Sequence, residues 1–503
     1  MCQICEFAAQ EVAAGAGVGA GLAAFAAEPG LRRAAPVNLE AAHGAAASPT
    51  PEGVGLKGRR VLVKGGTVLS MDERVGNHAV GDVLLDGSKI AEVAARIDAP
   101  DAVVIDASGH IVMPGFVDTH HHQFETALRS FLADGILIND GRPESVHNYY
   151  EFILQKLSMG YRPQDVYINE LFGGVAQIDA GVTAVMDVSQ IHHSPEHSDA
   201  AIDGLRAAGR RAVLGYFEGW GDKTKYPGDA KRIREQHFSS SDQLLTMFMG
   251  GEIYLPGYEE AWKVGRELSL PIALHVVGTF GMQPTFDELA KSGKFGSDCF
   301  FIHMTGMSDL AWKAAADAGA HVSIAAPIEM HMRHGTPPVQ KVLDLGMSAS
   351  LSSDVECTMS ADMFTQMRGV LTLQRMLANE LALAGKDYPK LMSVIDAARL
   401  ATIGGAKGLK IDAKTGSLTP GKDADIILLD ATALNVTPLN HAAGAVVTLM
   451  DRSNVSTVLC SGKIKKWRGA IVGYDIPKLR AELDASRDYV FAAAGIERDL
   501  FRA

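Results

Sequence analysis

The sequence lacks three features that would place it in a specialised class of protein. Its 503 residues include five cysteines, too few for the disulfide framework of small secreted domains. No long basic run is present, and a net charge of −12 disfavours a nucleic-acid-binding surface. The Ala-rich run near the N-terminus is too short for a membrane span. These absences predict a cytoplasmic protein that binds neither nucleic acid nor membrane.

The first 55 residues are rich in alanine and glycine but do not have the order of a secretory signal. Glu6 and Glu11 lie where such a signal carries basic residues, and the first arginines follow the apolar part. Cys2 and Cys5 form a C-x-x-C pair, but the chain has no second pair to complete a zinc knuckle. We interpret residues 1–55 as an N-terminal extension, either an arm for subunit contact or a mobile tail.

Between residues 111 and 405, short apolar runs alternate with longer segments of helical pattern. The apolar runs number eight: HIVMPGFVD, TAVMDV, RAVLGYFE, QLLTMFM, PIALHVV, CFFIHMT, HVSIAAP and SASLSSD. Strands that alternate with helices are typical of right-handed βαβ units around a parallel sheet. Eight units predict an α/β fold, a (β/α)8 TIM barrel over residues 111–405.

Short β-branched runs broken by glycine and aspartate lie on both sides of the predicted barrel. They include R-V-L-V-K-G-G-T-V-L before it and D-A-D-I-I-L-L-D after it. We expect residues 56–110 and 406–475 to form one small β-sandwich domain built from both chain ends. Residues 476–503 are predicted to form a C-terminal helix.

Polar side chains follow four of the predicted barrel strands directly. His120 and His122 end the first strand, His275 the fifth, His303 the sixth and Asp354 the eighth. Residues two apart on a strand point to the same side, so His120 and His122 can face one centre. A single strand-end histidine is usually structural, but four strand ends that agree predict a metal site at the barrel mouth. Imidazole with one carboxylate suits Zn²⁺ or Fe²⁺.

The motif P-G-F-V-D-T-H-H-H, the later histidines and aspartate, and the stretch G-S-L-T-P-G-K-D-A-D-I-I-L-L-D resemble the amidohydrolase superfamily. The similarity is greatest to its cytosine, guanine and chlorotriazine deaminase-like branch, and it covers residues 60–474. It implies a hydrolase that uses one divalent metal, zinc rather than iron, on a C–N bond of a small cyclic or heteroaromatic substrate. It also implies a homo-oligomer, a dimer or a tetramer.

The resemblance also implies a role for each strand-end residue. His120, His122 and His275 match the histidine ligands, and Asp354 matches a carboxylate that both binds metal and accepts a proton from water. His303 matches a catalytic histidine that contacts the water or the substrate. This chemistry is sound, because a metal lowers the pKa of its water and a nearby carboxylate can accept the released proton.

A single metal is expected because a bridging lysine is missing. Relatives with two metals bridge them through a modified lysine at the end of the fourth strand. We assign that strand to R-A-V-L-G-Y-F-E-G-W, which has no lysine. Its Glu218 could bridge metals, but we interpret it as a substrate-contacting residue at the barrel mouth.

Deaminases of this branch often carry a glutamate three residues after the strand-5 histidine, where it transfers protons to the leaving amine. Here the sequence is H-V-V-G, and Gly278 occupies that position. Glu329, which follows the seventh strand, is the predicted catalytic replacement. The other residues expected to contact substrate are Phe124, Glu125, Arg333 and His334.

The missing glutamate leaves alternatives open. Hydrolysis of an amide, carbamate or thiocarbamate needs less ring protonation and is compatible with Gly278. A barrel that only binds a ligand would have no need of His120, His122, His275, His303 and Asp354 together, so the complete set favours an enzyme.

Overall fold

The computed structural model describes residues 49–240 and 242–500. The predicted extension up to residue 48, with Cys2 and Cys5, lies outside the described residues. The remaining cysteines, Cys299, Cys357 and Cys460, are buried and unbridged. Within the described ranges, no helix combines the length and the apolar character needed to cross a membrane.

The chain begins its sheet structure with five strands. They are β1 (Arg60–Leu69), β2 (Asn77–Asp86), β3 (Lys89–Ala94), β4 (Val103–Asp106) and β5 (His110–Pro114). Strand β1 pairs antiparallel with β2 and parallel with β4 and β5.

Eight further strands follow, and each pairs in parallel with the next. They are β6 (Phe116–His121), β7 (Val182–Ser189), β8 (Arg211–Tyr216), β9 (Leu245–Gly250), β10 (Ile272–Val277), β11 (Cys299–Thr305), β12 (His321–Ile324) and β13 (Ser348–Leu351). A bridge between His121 and Asp354 brings the end of β13 back to β6. The predicted (β/α)8 barrel is confirmed, and its carboxyl ends meet at one rim.

Helices connect the barrel strands and close the chain. They are α1 (Pro163–Asp179), α2 (Pro195–Ala208), α3 (Ala230–His237), α4 (Tyr258–Glu267), α5 (Gln283–Lys291), α6 (Asp309–Asp317), α7 (Ala326–His331), α8 (Val339–Asp344), α9 (Met363–Leu383), α10 (Val394–Arg399), α11 (Gly405–Gly408), α12 (Ala442–Gly444) and α13 (Ile476–Ala494). After β6 the chain forms a 3₁₀ turn, Gln123–Leu128, and later a π-helical segment, Tyr150–Leu157.

Four late strands complete the first sheet. They are β14 (Ile426–Asp430), β15 (Val455–Cys460), β16 (Lys463–Trp467) and β17 (Ala470–Ile471). Strand β14 pairs antiparallel with β5, so both chain ends form one nine-stranded sheet in the order β17-β16-β15-β14-β5-β1-β2-β3, with β4 beside β1. The exact domain boundaries given above stay a prediction.

The central strands of this sheet are buried on both faces, and β14 shows the alternation. Ile426 and Leu428 pack with Val61 of β1 in a core of the sheet's own. Ile427 and Leu429 point the other way, into the hydrophobic core shared with the barrel. The sheet therefore packs against the outside of the barrel and leaves the rim with the polar residues free.

The G-K-D-A-D motif holds the sheet to the barrel. Asp423 and Asp425 accept hydrogen bonds from the guanidinium of Arg211, the first residue of β8, at 2.7 and 3.2 Å. Asp423 also pairs with Lys89 at 2.6 Å. Arg211 and Asp425 are almost fully buried. Burial alone would lower the pKa of Arg211, but the two carboxylates outweigh it and raise the pKa.

We predict that Asp425→Asn lowers the free energy of unfolding by about 3 kcal/mol, because it leaves part of a buried guanidinium charge uncompensated. Urea unfolding followed by circular dichroism measures the change. Asp101→Asn is the matched control, since Asp101 pairs with Arg60 at an exposed site, and we expect a much smaller loss of stability from it. Equal losses in the two variants would contradict the assignment.

Candidate metal and active site

The barrel rim brings the five predicted strand-end residues together. Nε2 of His120 lies 2.9 Å from Nε2 of His122 and 3.2 Å from Nε2 of His275. Asp354 Oδ1 lies 3.6 Å from His120 Nε2 and 3.7 Å from His122 Nε2. His303 completes the group, with its Nε2 3.4 Å from Asp354 Oδ2. His120, His122, His303 and Asp354 are buried, and His275 is nearly so.

The hydrogen bonds of the imidazoles show where their lone pairs point. His122 Nδ1 lies 2.9 Å from the backbone oxygen of Val188, and His275 Nδ1 lies 2.5 Å from Glu252 Oε1. Both Nδ1 atoms must carry the proton, so both Nε2 atoms present lone pairs. His120 Nε2 touches both and can donate to only one of them. At least one nitrogen–nitrogen contact is therefore repulsive unless a cation binds between the rings.

The donor set fits a divalent metal. Four ligands at about 2.1 Å in a tetrahedron lie roughly 3.4 Å from one another. The separations among His120, His122, His275 and Asp354 given above scatter around that value. Metal ligands must be neutral imidazoles, and burial lowers the pKa of His120 and His122 well below the usual range, with the neighbouring histidines adding to the effect.

Two other groups of the site respond differently to burial. Burial alone would lower the pKa of His275, but the Glu252 carboxylate outweighs it and the pKa is raised. Burial raises the pKa of Asp354 to about 7.

Glu252 is the main site residue that the sequence did not reveal. The sequence R-A-V-L-G-Y-F-E-G-W is the third barrel strand, β8, and not the fourth; that assignment was wrong because only two barrel strands, β6 and β7, precede it. The fourth strand is β9, and its end is followed by Glu252. Besides the bond to His275 Nδ1, the Glu252 carboxylate accepts a hydrogen bond from the His275 backbone N–H at 3.2 Å. The only sequence signal was an acid two residues after the M-F-M-G run.

Glu329 lies behind His303 and outside the cavity lining. Its Oε1 is 3.0 Å from His303 Nδ1 and accepts a hydrogen bond from the backbone N–H of Ala325 at 2.9 Å. Glu329 is fully buried. The structure therefore places it where it can orient His303, and it does not place it where it could touch a substrate.

The backbone at two of these residues is strained. His303 has a φ of 68° and Asp354 a φ of 65°, a region that residues other than glycine rarely adopt. The Asp354 turn is held from behind by Asp118, which accepts hydrogen bonds from both the backbone N–H and the hydroxyl of Ser353. Nδ1 of His121 also contacts the Ser353 hydroxyl, at 2.9 Å, so His121 points away from the other histidines. Strain of this kind is typical of functional sites.

A narrow cavity opens onto the histidines. Most of its wall is aromatic or aliphatic. Its lining comprises His122, Leu137, Tyr149, Tyr150, Leu154, Gln190, Tyr254, His275, Val277, Phe280, Met282, Met332, His303, His334, Asp354 and Val355. Among the described residues, Asp354 is the only carboxylate in the lining, and no lysine or arginine contributes. A larger groove beside α13 contains none of the site histidines.

One of the five residues predicted to contact substrate lines this cavity. His334 does, and neither of its ring nitrogens has a hydrogen-bond partner among the described residues. Phe124 and Glu125 are buried behind the wall, and Glu125 accepts a hydrogen bond from Tyr149 at 2.6 Å.

The other two predicted substrate contacts also lie outside the lining. Glu218 sits behind Tyr254 and Gln190. Arg333 is half exposed and pairs with Asp140 at 2.9 Å. Among the described residues, therefore, no lysine or arginine of the cavity lining can pair with an anionic substrate.

Gly278 lies where the ends of β10 and β11 come close together. A Cβ at this position would be 3.0 Å from the Cα of Gly306 and 3.1 Å from the backbone oxygen of Thr305. A glutamate would force the neighbouring strand end to move. The close approach of the two strand ends therefore favours glycine over an acidic residue at this position.

Comparison with known sequences agrees with this geometry. Residues 268–465 match the profile of the amidohydrolase family. The 5′-deoxyadenosine deaminase of Methanosarcina mazei is 26% identical over 427 residues, which cover 80% of this chain and 92% of that protein. The 5-methylthioadenosine/S-adenosylhomocysteine deaminase of Pelotomaculum thermopropionicum is 25% identical over 443 residues, 84% of this chain and 96% of that protein.

Solved structures show the same fold. An adenosine deaminase from Xanthomonas campestris with bound zinc has a TM-score of 0.74 at 20% identity, covering 87% of this chain and 99% of that one. An atrazine chlorohydrolase from Arthrobacter aurescens, also with zinc, has a TM-score of 0.73 at 19% identity, covering 85% of this chain and 100% of that one. The resemblance inferred from sequence is confirmed.

We predict that Glu252→Gln weakens metal binding about 10- to 100-fold, because an amide orients His275 less firmly and makes its Nε2 a poorer donor. Competition against a calibrated chelator, read by elemental analysis, measures the affinity. Glu259→Gln, on the exposed start of α4, is the control and should bind metal as the unmodified protein does. An unchanged affinity in Glu252→Gln would remove this residue from the metal site.

Proposed function

We propose, on the premise that this chain is an amidohydrolase, that it hydrolyses a C–N bond of an uncharged heteroaromatic substrate at a single metal, zinc in preference to iron. The observation that carries the proposal is the convergence of His120, His122, His275 and Asp354 at the base of an apolar cavity. The relatives named as deaminases support release of an amine or ammonia.

When bound, a divalent ion supplies a water whose pKa is lowered towards 7. His120, His122 and His275 would hold the ion, and burial keeps His120 and His122 neutral for this purpose. Asp354, beside the histidines, would accept the proton of the attacking water. Nε2 of His303, beside Asp354, is placed to orient the attacking oxygen or to polarise the carbon under attack.

The cavity lining selects the type of substrate. Tyr150, Tyr254 and Phe280 offer ring faces, and Phe280 packs against both tyrosines. A planar ring can stack against such walls. Because no lysine or arginine among the described residues lines the cavity, a carboxylate or phosphate on the part of the substrate away from the metal would have no cationic partner there.

Hydrolysis of an amide, carbamate or thiocarbamate is the second candidate function. The observation that favours it is the tight packing at Gly278, which leaves the fifth strand without an acid for the leaving group. Such substrates need less protonation of a ring. We further propose a homo-oligomer, a dimer or tetramer, in the cytoplasm.

A substrate panel tests the function. We expect metal-loaded protein to release ammonia or amine from at least one of the purine nucleosides, pterins, pyrimidines or aminotriazines, with 5′-deoxyadenosine among them. Amides, carbamates and thiocarbamates are assayed in parallel by product detection. Asp354→Asn should reduce kcat by about 10²- to 10⁴-fold with an unchanged circular dichroism spectrum, since the proton acceptor is lost. An unmodified protein that is inactive on the whole panel, or an Asp354→Asn variant of near-normal rate, would refute the proposal.

We expect Glu329→Gln to lower kcat by about 10- to 100-fold with little change in KM, because it loosens the orientation of His303 without touching the cavity. Steady-state kinetics on the active substrate separates the two constants. Glu288→Gln, on the exposed face of α5, is the control. If Glu329→Gln changed KM alone, Glu329 would be a residue that shapes substrate binding.

A further inference from the structure

The cavity needs a proton donor for the leaving group, and the fifth strand does not supply one. Gly278 has no side chain and little room for one. Glu329 is behind His303, and Asp354 accepts the proton of water in the proposed function, on which this inference rests. Tyr254 is a polar group on another part of the wall that can supply a donor.

A polar cluster at the ends of the second, third and fourth barrel strands faces the cavity. Gln190 directly follows β7, Glu218 lies just beyond β8, and Tyr254 lies just beyond β9. The Tyr254 hydroxyl donates to Glu218 Oε1 at 2.5 Å, and Gln190 Nε2 donates to the same oxygen at 2.8 Å. Gln190 Nε2 is also 3.0 Å from the Tyr254 oxygen. Tyr254 and Gln190 line the cavity, and Glu218 lies behind them.

The surroundings of Glu218 favour its protonated form. It is 3% exposed, and its Oε2 has no hydrogen-bond partner among the described residues. Burial, with Glu252 nearby, raises its pKa. An unpartnered buried carboxylate oxygen is costly, and protonation reduces that cost.

We propose that Tyr254 donates the proton to the leaving nitrogen and that Glu218 reprotonates Tyr254. The carbon–nitrogen bond breaks with its electron pair on nitrogen, and nitrogen takes the Tyr254 hydroxyl proton. For this transfer the Tyr254 hydroxyl turns from Glu218 Oε1 towards the leaving nitrogen, and the phenolate then takes the carboxylic acid proton from Oε1 across their 2.5 Å contact. Asp354 releases the proton it took from water to solvent, and Glu218 recovers one from solvent, so protons balance over the cycle. Gln190 is a positioning residue that holds the pair together.

A second tyrosine–carboxylate pair lines the same cavity and is the competing candidate. Tyr149 donates to Glu125 at 2.6 Å. Tyr149 is almost fully buried, whereas Tyr254 is half-buried and opens to the cavity. Tyr254 also has Gln190 as a second polar partner at the cavity wall. These differences favour Tyr254.

The test compares a leaving group that needs a proton with one that does not. The probes are matched pairs: 5′-deoxyadenosine against its 6-chloropurine analogue, and melamine against 2-chloro-4,6-diaminotriazine. Chloride departs as a stable anion, so its displacement needs no acid. In Tyr254→Phe, which keeps the ring against Phe280, we expect kcat/KM for the amino substrate to fall at least about 100-fold and that for the chloro substrate to change less than about fivefold.

Glu218→Gln should show the same selective loss, because an amide cannot resupply the proton. Tyr258→Phe, on α4 outside the cavity, is the control and should leave both rates unchanged. Metal content and melting temperature are measured for every variant, so that a loss of metal or fold is recognised separately.

The outcomes separate this inference from the proposed function. Equal losses on amino and chloro substrates, or no loss on either, would show that Tyr254 only packs or binds and would overturn the relay. A selective loss in Tyr149→Phe instead of Tyr254→Phe would overturn it as well. If the unmodified protein turned over neither member of any pair nor any other substrate of the panel, the proposed function would fail and the inference with it.

Discussion

The site depends on one electrostatic constraint: lone pairs of buried imidazole nitrogens are held face to face. His122 and His275 each direct a lone pair at His120 Nε2, and His120 can satisfy only one of them with a proton. A cation removes the repulsion and turns it into attraction. The same burial that makes the apo arrangement unfavourable keeps His120 and His122 neutral, as metal ligands must be.

Buried carboxyl groups behind the site hold the imidazole rings and Asp354 in these positions. Glu252 orients the ring of His275, and Glu329 orients the ring of His303. Asp118 accepts a hydrogen bond from the backbone N–H of Ser353 and so fixes the turn before Asp354. Each carboxyl group is buried, so each would be costly without its partner. Loss of one partner would therefore cost stability and would also release a ring or Asp354 from its position. This explains how a strained backbone at His303 and Asp354 can persist.

The sequence predicted the barrel and the five central residues because both follow from simple periodicities. Apolar runs mark the strands, and polar residues that directly follow them must lie at the rim. It did not predict Glu252 or Tyr254, since both come from the loop after β9, where no periodicity fixes direction. Arg333 was expected in the cavity because it follows the seventh strand, but the chain turns through α7 and the side chain meets Asp140 instead. Distance along a loop after a strand is thus a poor guide to which side chains reach the cavity.

Gly278 connects the fold to the chemistry. The ends of β10 and β11 approach so closely that a side chain there would press on Gly306 and Thr305. An acid on the fifth strand would require a shift of the backbone just beyond His303 on the neighbouring strand. The third and fourth strand ends have no such conflict, because Glu218 and Glu252 both lie there behind groups that line the cavity. Glu252 orients the metal-site residue His275, and Glu218 resupplies a proton to Tyr254. One side of the rim can therefore support both metal binding and protonation of the leaving group. With glycine at the end of the fifth strand, the acid is supplied from the third and fourth strand ends instead. The site can then still protonate a leaving amine, as deamination requires.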